Sequence, residues 1–243
     1  MKTTIATIIG IVLLAMGALT LLYSCNSTNE YKVIASLMID KTEVFLLAQP
    51  DADAIKQLLP ADKDNWQGYR FRQQIISDVN DNPIYQEDLA PSCEYLSNIY
   101  DKTDEVQKFF LGIDTALQKT KSVSLGKTRS SIYAPMVKEL NHLAESEAKH
   151  KVLVIYSDMM ENSYLSNFYE KSIIKELQNT PEEIQQQFEK AVSIGDLKGI
   201  EIYIIYQASN NEESRVFTIV SKFYKKLLED KGAKVSITAN INL

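Results

Sequence analysis

Histidine and cysteine are nearly missing from this chain, with two of each in 243 residues. His142 and His150 have no cysteine or further histidine at ligand spacing, which excludes a His/Cys zinc set. Of the cysteines, Cys25 ends an apolar run, and if it is modified Cys93 has no intramolecular disulfide partner, so stability must come from a packed core. Catalytic signatures are also scarce. There is no Gly-x-Ser-x-Gly elbow, and Gly126-Lys127-Thr128 has Lys121 where a phosphate-binding loop needs its first glycine. That stretch reads as a polar loop. The formal charge is −6, and no basic stripe runs along the chain, which argues against nucleic acid as a partner. Internal repeats and low-complexity tracts are absent as well.

What is present begins with a targeting segment. Residues 1–24 carry Lys2 and then an uncharged apolar run over 5–23, closed by Ser24 and Cys25. Leu22-Tyr23-Ser24-Cys25 resembles the lipobox of bacterial lipoproteins, in which the signal peptide is cut before a cysteine that then carries lipid. Tyr23 departs from the small or aliphatic residue usual there. An uncleaved membrane anchor is the plainer alternative, because the run is close to the roughly 20 residues that span a bilayer. The polar tether over residues 25–30, directly after the apolar run, favours the lipoprotein. Both readings put the remaining chain outside the inner membrane. Asn26 stands where an inner-membrane retention aspartate would be, which points to the outer membrane, facing the periplasm. Cleavage leaves 243 − 24 = 219 residues and, with Lys2 gone, a charge of −6 − 1 = −7. That length suits one domain, over residues 31–243.

The apolar patterns alternate in kind. YKVIASLMI at 31–39 is apolar on both faces, as in a central strand covered on each side. A short helical connection follows within 44–59, where Pro50 can open the helix. Residues 69–79 and 84–89, separated by a turn-rich cluster, predict a hairpin. Helical spacing then runs over 103–120, with Asp101 or Thr103 as caps, and over 132–149. A buried strand over 151–156 is followed by helices over 165–178 and 181–192. Strand 200–208, helix 212–231 closed by Gly232, and strand 234–241 complete the series. This order predicts an α/β, Rossmann-like fold with a largely parallel sheet, helices on both faces and one antiparallel edge strand.

Two aspartates fall where buried strands end, Asp40 after the first and Asp158 after 151–156. Open α/β sheets bind ligands outside the carboxyl ends of their strands, so these two acids are expected to share a crevice. Asp40-x-Thr42, the hydroxyl-rich loop with Thr128, Ser130 and Ser131, and Ser157-Asp158 together resemble the von Willebrand factor A domain. The resemblance covers the order of elements from Tyr31 onward, on short motifs. It implies a metal-ion-dependent adhesion site made of Asp40, Thr42, Ser130 and Asp158, with Ser130 the better match for the loop hydroxyl than Thr128. Val44 stands where the second hydroxyl of that motif belongs, so Glu43, Glu161 or a water must supply the missing oxygen.

The chemistry is coherent without the resemblance. Magnesium takes six oxygens in near-octahedral array and keeps several waters, which suits two carboxylates and hydroxyls from separate loops. Such a half-open site leaves room for a carboxylate from a partner protein. Three functions are therefore carried forward: a lipid-anchored protein-recognition domain with magnesium, a metal-free scaffold of the same shape, and a hydrolase or phosphotransferase using Asp40. The last lacks its acid, because Thr42 stands where a second aspartate is needed. Aspartates after strands also serve as caps and turn formers, which is the structural alternative for both residues. Tyr156, Tyr164, Phe168 and Tyr169 surround the Asp158 segment, at spacings more typical of core than of a binding face.

Overall fold

The structure, a computed structural model, describes residues 30–41, 47–76, 82–94, 96–122 and 130–240. Its elements in chain order are β1 (Tyr31–Asp40), α1 (Ala52–Leu58), β2 (Gly68–Ile76), β3 (Ile84–Leu89), α2 (Ile99–Ser122), α3 (Tyr133–Glu145), β4 (Ala148–Tyr156), α4 (Lys171–Asn179), α5 (Pro181–Ala191), β5 (Ile200–Ile205), α6 (Asn211–Glu229) and β6 (Lys234–Thr238). The six strands form one sheet in the order β3-β2-β1-β4-β5-β6. All neighbours run parallel except β3, which pairs antiparallel with β2 at the edge. This is the doubly wound α/β arrangement, Rossmann-like, that the alternation of strand and helix patterns predicts.

The strand faces divide the core in two. Val33, Ala35, Leu37 and Ile39 of β1 pack with α1 and α2 through Ile55, Val106, Phe109 and Ile113. On the opposite face Ile34 and Met38 join α3, α4, α5 and α6 through Met136, Ile174, Phe188 and Tyr224. A central strand buried on both faces must be apolar at every position, which is why β1 does not alternate. The one polar residue in its middle, Ser36, donates to Glu139 Oε1 at 2.6 Å, and Arg72 of β2 holds both oxygens of the same carboxylate at 2.9 and 3.1 Å. This buried pair ties α3 to the centre of the sheet.

Several boundaries differ from the sequence pattern, each for a local reason. Asp51 caps α1 by accepting from the Asp53 amide, so the helix opens there and not at Pro50. Helix α2 starts earlier than expected because Asn98 Oδ1 takes the Tyr100 amide; neither Asp101 nor Thr103 is the cap. Helix α3 stops at Glu145 since residues from Ala148 onward pair with β1, with Val33 opposite His150. Pairing has overridden helical periodicity. The expected helix over 165–178 begins only at Lys171, because residues before it belong to a pinned loop described below. Gly232, with φ +95°, follows α6 in the left-handed conformation expected of a glycine past a helix end.

Candidate functional site

Strand order creates the site. Chain connections leave β1 toward β2 on one side, while β4 lies on the other, so a crevice opens between the carboxyl ends of β1 and β4. Asp40 is the last residue of β1 and fully buried, with Ile76 opposite it on β2. Ile39 stands opposite Tyr156, the last residue of β4, so Ser157 and Asp158 emerge next to Asp40.

Two hydroxyls converge on one carboxylate oxygen. Asp40 Oδ2 accepts from Ser157 Oγ at 3.0 Å and from Ser130 Oγ at 3.1 Å. Both serines are buried, and the Asn162 amide donates to the Ser130 carbonyl at 2.7 Å. Asp40 therefore joins three segments: its own strand end, the loop entering α3 and the loop leaving β4. Two strand-end acids acting only as separate caps would not produce this. Asp158 does serve its own loop, for Oδ1 accepts from the Met160 amide at 2.9 Å. The capping role foreseen for such aspartates thus fits Asp158, while Asp40 bridges separate segments.

The loop after β4 is pinned along its length. Ser157 Oγ accepts from the Met159 amide and Ser163 Oγ from the Leu165 amide, each a hydroxyl bonded to backbone two residues on. Met159 has φ +63°, a left-handed conformation costly for a residue with a side chain. Its side chain is fully buried, as is Phe168, so core packing holds the turn in place. Phe168 also donates its amide to the Glu161 carbonyl at 2.8 Å, which closes the loop.

Glu161 has a different role from the one expected of it. Its Oε2 accepts from the Ile132 and Tyr133 amides at 2.9 and 2.8 Å, so the carboxylate caps α3, a helix without a side-chain cap of its own. It is fully buried, and desolvation pushes its pKa above the ordinary 4.5 despite opposing hydrogen bonds, those from Ser163 and the two capping amides first among them. One oxygen of Glu161, a residue expected to make up for Val44, is thus committed to the cap.

Of the four residues expected to hold a cation, Asp40, Ser130 and Asp158 meet at this edge. Thr42, with Val44 and Glu43, lies outside the described residues, as does Thr128. Among the described residues no group of three or more His, Cys, Asp or Glu side chains stands together as a metal cluster. The donor set here is of another kind, two carboxylates with serine hydroxyls, and it fits a hard cation that keeps much of its water. A further hydroxyl, Ser131 Oγ, is buried in the same loop without a hydrogen-bond partner among the described residues. Ser157 was the residue not singled out from sequence as part of the site; its position directly before Asp158, at the end of a buried strand, was the available signal.

Beside Asp158 lies a cavity of about 460 Å³, bounded by the β4 loop, α4 and the first turns of α6. Of the aromatics near Asp158, Tyr156 and Phe168 are core, whereas Tyr164 and Tyr169 are exposed. Cys93 is half-buried and disulfide-bonded, contrary to the expectation of an unpaired thiol. The only other cysteine in the sequence is Cys25, which lies outside the described residues together with the whole targeting segment. No protein-family model matches the chain, and no curated protein is significantly similar to it.

Proposed function

We propose that this protein is a lipid-anchored recognition protein of the cell envelope, in which a protein partner docks at the carboxyl edge of the sheet. In this reading a divalent cation, magnesium, is held there by Asp40, Thr42, Ser130 and Asp158, as the resemblance to von Willebrand factor A domains implies. The observation that carries the proposal is the convergence of Ser130 and Ser157 on Asp40 next to Asp158. Oxygen donors from three separate segments gather at the strand-order switch point, where α/β folds bind their ligands. A cation bound there would supply positive charge to attract a carboxylate from the partner. Asp40, Ser130 and Asp158 would hold it, and the cap made by Glu161 keeps the Ser130 loop fixed to the β4 loop.

Recognition is preferred to catalysis because of what accompanies Asp40. A phosphotransfer nucleophile of this kind needs a second carboxylate as acid two residues on, where this chain has Thr42, while the hydroxyls gathered on Asp40 are oxygen donors that suit a cation. The test is thermal unfolding of the full chain in detergent, with and without magnesium. At a free concentration ten times its dissociation constant, magnesium should add about 1.4 kcal/mol, or roughly 3–5 °C for a chain of this size. Asp158→Asn keeps an oxygen for the Met160 amide but removes the charge, and should abolish the shift. A wild-type protein that melts identically in magnesium and in EDTA would refute the cation site.

A further inference from the structure

The cavity beside Asp158 is apolar within and charged at its mouth. Phe168, Ile174, Val216 and Phe217 line it, and Tyr169, which is 55 % exposed, stands at its edge. Its volume falls within the range of ligand pockets, about 300–1,000 Å³.

The charges at the mouth are not equivalent. Glu212 is bound by Arg215 through two hydrogen bonds, at 2.7 and 3.0 Å. Glu213 is occupied by the start of α6, where it accepts from the Ser209 amide at 2.8 Å and the Asn210 side chain at 2.8 Å. Lys171 and Lys175 remain. They are one turn apart on α4, both exposed and lining the cavity, and neither forms an ion pair with a described residue. Glu212 and Glu213 are thus hydrogen-bonded within the protein, and although Lys171 also feels the charge of Glu212, both lysines keep their donors for a ligand.

We propose that this cavity receives an apolar side chain of a partner peptide whose adjacent carboxylate is met by Lys171 and Lys175. The proposal rests on the recognition reading of the same edge and names the chemistry of the partner. Peptide binders commonly combine a buried apolar anchor with a polar rim that fixes orientation. Here Phe168, Ile174 and Val216 supply the first, and the two lysines of α4 supply the second. Asp158 stands in the cavity wall, directly after Ser157, which donates to Asp40.

A ligand-observed fluorine NMR titration of the full chain in detergent tests this, with N-acetyl-4-fluorophenylalanine and its uncharged carboxamide as probes. The acid should bind about threefold more tightly than the amide, the size of a solvent-exposed ion pair. Val216→Trp, which fills the cavity, should abolish binding of both. The double charge reversal Lys171→Glu with Lys175→Glu lies on exposed positions and leaves the core intact; it should erase the preference for the acid while retaining the amide. Equal binding of the two probes to the wild type, or binding that survives Val216→Trp in a folded variant, would overturn the assignment. Repeating the titration in EDTA separates the two readings: preference for the acid that persists without magnesium upholds the lysines' role whatever the cation does, and preference that appears only with magnesium overturns it.

Discussion

At the scale of single residues, Asp40 is the member on which the crevice depends. A carboxylate without access to water is costly unless donors surround it, and two of its donors are the hydroxyls of Ser130 and Ser157. Removing either should cost about 1–3 kcal/mol, the penalty for a buried acceptor deprived of a charged hydrogen bond. Ser157→Ala should cost more than Ser130→Ala, since Ser157 Oγ also accepts from the Met159 amide and so helps hold that residue at positive φ. Chemical denaturation of the two variants checks the order. Equal and negligible losses would mean that the hydroxyls do not sustain the buried carboxylate.

At the scale of elements, the loop after β4 and helix α3 behave as one unit through Glu161. The folded-state pKa of this carboxyl is raised by burial, so its ionisation opposes folding. Stability from the protonated form is fully present below the unfolded value near 4.5 and is lost as pH rises through the higher folded value. Glu161→Gln removes that titration and keeps an oxygen for the Ile132 and Tyr133 amides. Its stability, measured against pH by denaturant unfolding, should decline less than that of the wild type as pH rises from about 4.5. Parallel curves for the two proteins would show that Glu161 does not titrate in this window. The elements themselves were largely readable in advance. Apolar runs such as 31–39 and 151–156 have no alternation to confuse, and the turn-rich cluster before residue 84 announces the antiparallel edge. What could not be read was the loop over 157–170: its apolar residues have helical spacing, yet serine and aspartate side chains bond its backbone locally and Phe168 is drawn into the core. The same competition hid the site's geometry. Asp40 and Asp158 were visible as strand ends, but Ser157 acting on Asp40 and Glu161 acting on α3 are contacts across segments that no local pattern encodes.

At the scale of the whole molecule, the sheet order gives the protein a polarity. The carboxyl ends of five strands, the Asp40 crevice and the cavity under α4 lie at one edge, and β1 enters from the other. Acylation of Cys25 uses its only sulfur, and so does a disulfide to Cys93, so one molecule cannot carry both. Mass spectrometry of the mature protein with and without reductant decides between them: an acylated Cys25 upholds the lipid anchor and rules out the intramolecular disulfide, whereas an unmodified chain that gains two hydrogens on reduction removes the anchor. The central claim concerns the crevice itself, and manganese in place of magnesium tests it most directly. In crystals soaked with manganese, anomalous scattering should locate one ion within coordinating distance of Asp40 or Asp158, either directly or through water, with Ser130 beside it. Crystals in which the crevice shows no anomalous peak, while both carboxylates keep the hydrogen bonds to Ser130, Ser157 and the Met160 amide, would contradict it.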